Sequence, residues 1–197
     1  MSGTPPNTKR RSGYGLLLLA IGRRAGFGYF GADKEAYLAS LAPLLAFTLV
    51  PCALVALAGA PRFGASLGLM TLCQILAPAV IADWLCSRWD CRDRWPLYAN
   101  ILNWTPLLVF IVLAPALVLA RVLLLFGLPQ KVVADVAMLA VSLYGLWFQW
   151  RLARGALEIS RWRAAQLLGA TLLFGVLVVT IQGVFGPDLD SLNLPSK

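Results

Sequence analysis

The sequence predicts an all-α protein, a polytopic transmembrane bundle of five helices, and three observations lead there. Hydrophobic residues make up 59% of the 197-residue chain and charged residues only 13%, about half of the ~25% charge typical of soluble domains. Five apolar runs, at 36–60, 63–85, 98–120, 132–150 and 164–185, each reach the ~20 residues that cross a ~30 Å hydrocarbon core. Basic and aromatic residues collect at the same ends of these runs. Backbone groups in lipid must be satisfied within their own segment, so the runs are read as helices.

The chain opens on a polar stretch, residues 1–13, with two prolines and the basic cluster Lys9, Arg10 and Arg11. The apolar run 14–21 is too short to span. It is also too short for the core of a cleaved signal peptide, and Arg23 and Arg24 follow it at once. An interfacial segment on the inner leaflet is expected instead, held by residues 16–19. Anionic lipid would favour that placement by about 1 kcal/mol per nearby basic residue. Gly26, Gly28 and Gly31 are expected to form a flexible hinge before the first span. The chain thus divides into a basic cytoplasmic tail (1–35), a five-helix membrane domain (36–185) and a short external tail (186–197).

Between the first two spans only the neighbourhood of Pro61 and Arg62 is available, which demands a tight antiparallel hairpin. Gly64 and Gly68 give the second span a small-xxx-small face for close helix contact. Pro43, Pro51, Pro78, Pro106 and Pro115 fall inside spans. Each removes a helix hydrogen bond, so bent helices are expected. The loop 87–95, SRWDCRDRW, interleaves charge with tryptophan. The loop 151–163, RLARGALEISRWR, is expected to be helical. Arg154, Glu158 and Arg161 would then pair along one face at i, i+4, i+7 spacing.

Orientation follows from the basic residues. Of the 17 Lys and Arg, only Arg62, Arg121, Lys131 and Lys197 fall on one side of the five spans. The other thirteen fall on the side of the N-terminus, which by the positive-inside rule is the cytoplasm. All seven Trp and five Tyr lie on that same side. Aromatic belts normally occur at both interfaces. A one-sided belt is read either as anchoring at the inner headgroups or as a docking surface, because Trp, Tyr and Arg dominate binding hot spots.

The chain has no histidine, which removes the usual base near neutral pH and the commonest metal ligand. Gly64-Ala65-Ser66-Leu67-Gly68 matches G-x-S-x-G. It opens a membrane helix rather than a strand-to-helix turn, so it reads as coincidence. No phosphate-binding glycine loop and no carboxylate cluster at ligand spacing is found. Cys52, Cys73 and Cys86 sit in spans and Cys91 in a cytoplasmic loop, where disulfides are not expected. The expectation is no enzyme, no cofactor and no metal.

Polar residues in or near the spans are few, and a charge at depth tends to find a partner. Arg121 and Asp135 are expected to pair across the outer end of spans three and four. Asp83 is expected to accept hydrogen bonds from Asn100 or Asn103. Gln74 and Gln182 are expected to act as interhelical hydrogen-bonding groups.

Two stretches, YANILNW at 98–104 and WRLARGAL at 150–157, resemble bacterial Yip-like membrane proteins. In YANILNW (98–104), Tyr98, Asn103 and Trp104 are spaced as in that group. In WRLARGAL (150–157), Trp150, Ala153, Arg154, Ala156 and Leu157 match its segment after the fourth span. The resemblance covers about residues 36–185. The DLYGP-type motif that precedes the spans in the wider Yip family is absent, so the resemblance does not reach its GTPase-binding role. It implies a non-enzymatic membrane organiser or accessory subunit, with Asn103, Trp104, Trp150 and Arg154 clustered at the inner interface.

Together these readings describe a multi-pass protein of the bacterial inner membrane. It would act through a basic, tryptophan-rich cytoplasmic face on anionic lipid headgroups, a protein partner or a larger membrane complex, with no nucleic acid. The alternative is a small transporter or channel, with Asp83, Gln74 and proline-bent helices lining a path.

Overall fold

A computed structural model describes residues 12–185. The basic cluster at residues 9–11 and the tail 186–197 lie outside the described residues, as do the side chains of Arg62 and Gln182. Seven α-helices form among the described residues: α1 Ser12–Ala20, α2 Lys34–Leu57, α3 Pro61–Trp89, α4 Trp95–Trp104, α5 Leu108–Leu125, α6 Gln130–Ala156 and α7 Arg161–Phe185. Five helical segments are long and apolar enough to cross a membrane. Four are α2, most of α3, α6 and most of α7, and the fifth is the 34-residue stretch Arg92–Leu125, which contains α4 and α5.

Local chemistry sets the helix ends. Asp33 caps α2, its carboxylate accepting from the Ala36 amide at 3.1 Å, and Ser160 caps α7 through the Arg163 amide at 3.3 Å. Both satisfy an amide that the first turn leaves without a partner. Helix α1 stops at Gly22, whose φ of +82° lets the Gly22 and Arg23 amides turn back to the Leu19 and Leu18 carbonyls. Gly127 ends α5 in the same way, its amide and that of Leu128 returning to Leu124 and Leu123.

The third span is broken where proline requires it. Pro106 has no amide to offer the Leu102 carbonyl, and a 3-10 turn, Thr105–Leu107, separates α4 from α5. That carbonyl accepts instead from the Thr105 amide and from the Thr105 hydroxyl at 2.6 Å, as a backbone acceptor in a membrane helix requires.

Packing is uneven along the bundle. The buried cluster draws on α1, α4, the C-terminal ends of α3 and α6 and the first turns of α7, including Leu16, Ala82, Cys86, Ile101, Leu152, Leu157 and Leu167. These segments form the end of the bundle that holds the tryptophans. Towards the opposite end the helices expose apolar side chains, among them Leu125, Met138, Leu173 and Val176. Water would penalise so much exposed apolar surface, whereas lipid would not.

Helices α2 and α3 come into close contact at Gly64, as the small-residue pattern predicts. A methyl group there would lie 2.7 Å from the Cys52 carbonyl oxygen and 2.9 Å from the Ala56 nitrogen. Gly68 faces the Cys52 side chain with ordinary spacing, 3.5 Å to Cβ.

Three expectations are corrected here. The leucines expected to hold the run 14–21 in the leaflet are largely turned into the protein, for α1 buries Leu16, Leu18 and Leu19. The glycines after it are not a loose hinge. The segment Arg24–Tyr29 is a 3-10 helix packed on α1, with Gly26 so close that a methyl there would lie 2.6 Å from the Gly15 carbonyl oxygen. The loop 151–163 is not one helix, because Glu158 takes a left-handed φ of 51° between α6 and α7.

Candidate functional site

At the tryptophan-bearing end, arginine and tryptophan pair repeatedly. The Arg88 guanidinium lies 3.9 Å from the Trp84 ring centre, Arg151 5.0 Å from Trp147, and Arg154 4.9 Å from Trp150. Each pair is four residues apart on a helix, the spacing that places side chains on one face. A fourth pair crosses elements, with Arg163 5.7 Å from Trp89. A guanidinium over an indole face gains about 0.5–2 kcal/mol, more where water is excluded, and keeps its N–H groups free at the ring plane.

Two of these pairs border a cavity of about 190 Å³ between the end of α1, the segment after it and the last turns of α6. Arg23, Arg24, Arg151 and Arg154 line it together with Trp147, Trp150 and Phe27. Among the described residues no Asp or Glu lines it.

The walls are held by specific bonds. Arg151 Nη2 donates to the Gly22 carbonyl at 2.5 Å, and the Tyr144 hydroxyl donates to the Ala20 carbonyl at 2.8 Å. Both fasten α6 to the C-terminal end of α1, where helix carbonyls lack internal partners. Gly155 leaves room for the Phe27 ring, which a methyl group would overlap. Arg154 Nε is buried, and among the described residues it has no hydrogen-bond partner. An unpaired buried donor on a cation is costly.

A second, larger cavity of about 720 Å³ lies beside the start of α2, lined by Tyr29, Phe30, Asp33, Ser40, Asn100 and Trp104 among others. Asn100 Nδ2 donates to the Gly31 carbonyl at 2.9 Å, and Asn103 Nδ2 to the Ser40 hydroxyl at 2.8 Å. The four residues expected to cluster, Asn103, Trp104, Trp150 and Arg154, have different immediate surroundings. Trp104 borders the second cavity, Trp150 and Arg154 border the first, and Asn103 is buried in a structural bond.

The charged pairs also differ from expectation. Asp83 is engaged by Arg92, whose Nε and Nη2 donate to its two oxygens at 3.1 and 3.2 Å; neither Asn100 nor Asn103 reaches it. Glu158 pairs with Arg94 from the neighbouring loop, not with Arg154 or Arg161 along a helix. Neither of the ion pairs found among the described residues joins Arg121 to Asp135, and both side chains are exposed. Gln74 is exposed on α3 rather than turned into the bundle.

Sequence reasoning missed Gly22, Arg23, Arg24 and Arg151 as wall residues. The usable signal was the repeated Trp-x-x-x-Arg spacing at 84/88, 147/151 and 150/154. The place of Arg23 and Arg24 depends on where α1 docks, which no local pattern discloses. Among the described residues no group of three Cys, Asp or Glu gathers to hold a metal ion, and all four cysteines are free thiols.

Compared with protein families, with curated proteins and with solved structures, the chain gives no match.

Proposed function

We propose that this protein is a non-enzymatic organiser or accessory subunit of the bacterial inner membrane, acting through its basic, tryptophan-rich end on anionic lipid headgroups or a protein partner. The N-terminus lies in the cytoplasm and the chain leaves the fifth span on the outer side. The basic asymmetry of the loops supports that orientation. The Yip-like motifs at 98–104 and 150–157 fall at this same end, and we read them as a kinship of role.

The observation that carries the reading is the cavity bordered by Arg23, Arg24, Arg151 and Arg154 with Trp147 and Trp150. Such a wall presents positive charge and amphipathic rings together, the pairing that suits a headgroup layer. Purification in mild detergent, with mass spectrometry of bound lipids and proteins, tests it. Anionic lipid enriched over the source membrane, or a stoichiometric protein partner, is expected. A lipid content equal to the bulk membrane, with no partner, overturns it.

A further inference from the structure

The arginine-lined cavity has a narrower chemistry than a basic surface, and the inference drawn from it rests on the reading just given. We propose that it is a binding site for one phosphate group, the phosphate of an anionic phospholipid headgroup or a soluble phosphate ester.

Charge is the first argument. Four arginines border one space of about 190 Å³, and among the described residues no acid borders it. The acids that do make ion pairs at this end, Asp83 and Glu158, are engaged by Arg92 and Arg94. Clustered cations repel one another, and an anion between them removes that cost.

Donor geometry is the second argument. Arg154 keeps a buried Nε without a partner among the described residues. A guanidinium recognises phosphate through paired N–H groups in a fixed fork, one of them often Nε–H. Stacking on Trp150 and Trp147 holds Arg154 and Arg151 in place, so little side-chain freedom remains to be lost on binding.

Size is the third. Pockets for drug-sized ligands run about 300–1,000 Å³, so 190 Å³ suits a phosphate and its nearest substituents and is too small to enclose a whole nucleotide. The rest of a lipid or ester would remain outside.

The test uses the full chain in dodecyl maltoside micelles, which carry no phosphate. Its thermal midpoint is followed while phosphatidylglycerol is titrated into the micelles, and separately while inorganic phosphate replaces chloride at constant ionic strength. Half-saturating concentration is the readout, so a variant with a lower starting midpoint remains informative. Arg154→Gln and Arg23→Gln each should weaken the response by about tenfold, the loss expected for one charge-assisted hydrogen bond. Arg88→Gln, whose side chain stacks on Trp84 away from the cavity, should leave it unchanged.

That pattern with phosphatidylglycerol supports the site with a lipid source, and with inorganic phosphate it supports the site with a soluble one. Equal weakening in all three variants, or in none, overturns the cavity as the site while leaving a headgroup-binding basic face in place. No response by the wild type to either titrant overturns the cavity site. If the purified protein then also carries neither enriched anionic lipid nor a partner, the broader reading falls too.

Discussion

Asn103 and Ser40 meet inside the bundle, the Asn103 Nδ2 donating to the Ser40 hydroxyl at 2.8 Å with both residues almost fully buried. The Ser40 hydroxyl in turn donates to the Tyr37 carbonyl at 2.6 Å, so a short chain of bonds ties α4 to the first turns of α2. The two mutations should therefore differ in kind. Ser40→Ala strands a buried amide donor, a loss of about 1–3 kcal/mol. Asn103→Ala leaves the serine still bonded to Tyr37 and costs mainly packing. The double mutant should be less destabilised than the sum of the singles by about 0.6 kcal/mol, the average of measured couplings in a membrane bundle, and by no more than ~1.7 kcal/mol, their maximum. Strict additivity in a denaturation double-mutant cycle would show that the contact carries no coupling.

Gly22 governs the docking of α1. Its φ of +82° disfavours any side chain, and a methyl there would lie 2.7 Å from Arg151 Nη1. Gly22→Ala should cost about 1–3 kcal/mol and raise amide hydrogen exchange across residues 14–30. Gly28, with open space around it, is the control, and Gly28→Ala should leave exchange unchanged. If both variants exchange alike, α1 is not held through this turn.

The spans were legible because length and hydropathy alone decide whether a segment crosses a membrane. So was the Gly64 contact, a local pattern of small residues. The docking of α1 was not, because its anchors Tyr144 and Arg151 lie more than a hundred residues along the chain. Nor was the partner of Asp83, since the loop carrying Arg92 has no periodicity that would fix its fold. The break at Glu158 escaped notice because its helical charge spacing competes with a capping serine, Ser160, only two residues on. For the candidate site, the sequence singled out the same end of the bundle as the arginine-lined cavity, and Trp150 and Arg154 in its wall. Trp104 borders the other cavity because α4 packs more extensively against α2 than against α6, a tertiary choice.

The Asp83–Arg92 pair should contribute little to stability. Both carboxylate oxygens are used, but the two side chains are 36% and 68% exposed, and exposed pairs are worth about 0–1 kcal/mol. Asp83→Asn is expected to lower stability by less than about 1 kcal/mol, with a smaller effect at high salt. A loss of several kcal/mol, insensitive to salt, would mean that the carboxylate meets the bundle interior and not Arg92.

Gly64 and Gly68 are four residues apart on one face of α3, yet alanine should act on them in opposite directions. In a helix interior alanine is favoured over glycine by about 0.5–1 kcal/mol. At Gly68 nothing opposes that gain, because a methyl would sit 3.5 Å from Cys52 Cβ and 3.6 Å from its Sγ, ordinary contact distances. Gly68→Ala should be neutral or stabilising. At Gly64 the added carbon would meet backbone, the Cys52 oxygen at 2.7 Å and the Ala56 nitrogen at 2.9 Å, and backbone cannot rotate aside. Helices α2 and α3 would have to separate, losing contacts along their length at a cost of about 1–3 kcal/mol. Thermal unfolding of the two single variants in one detergent decides the matter. Equal midpoints would mean that the helices do not approach through Gly64, and with that the tight hairpin of the first two spans would have to be redrawn.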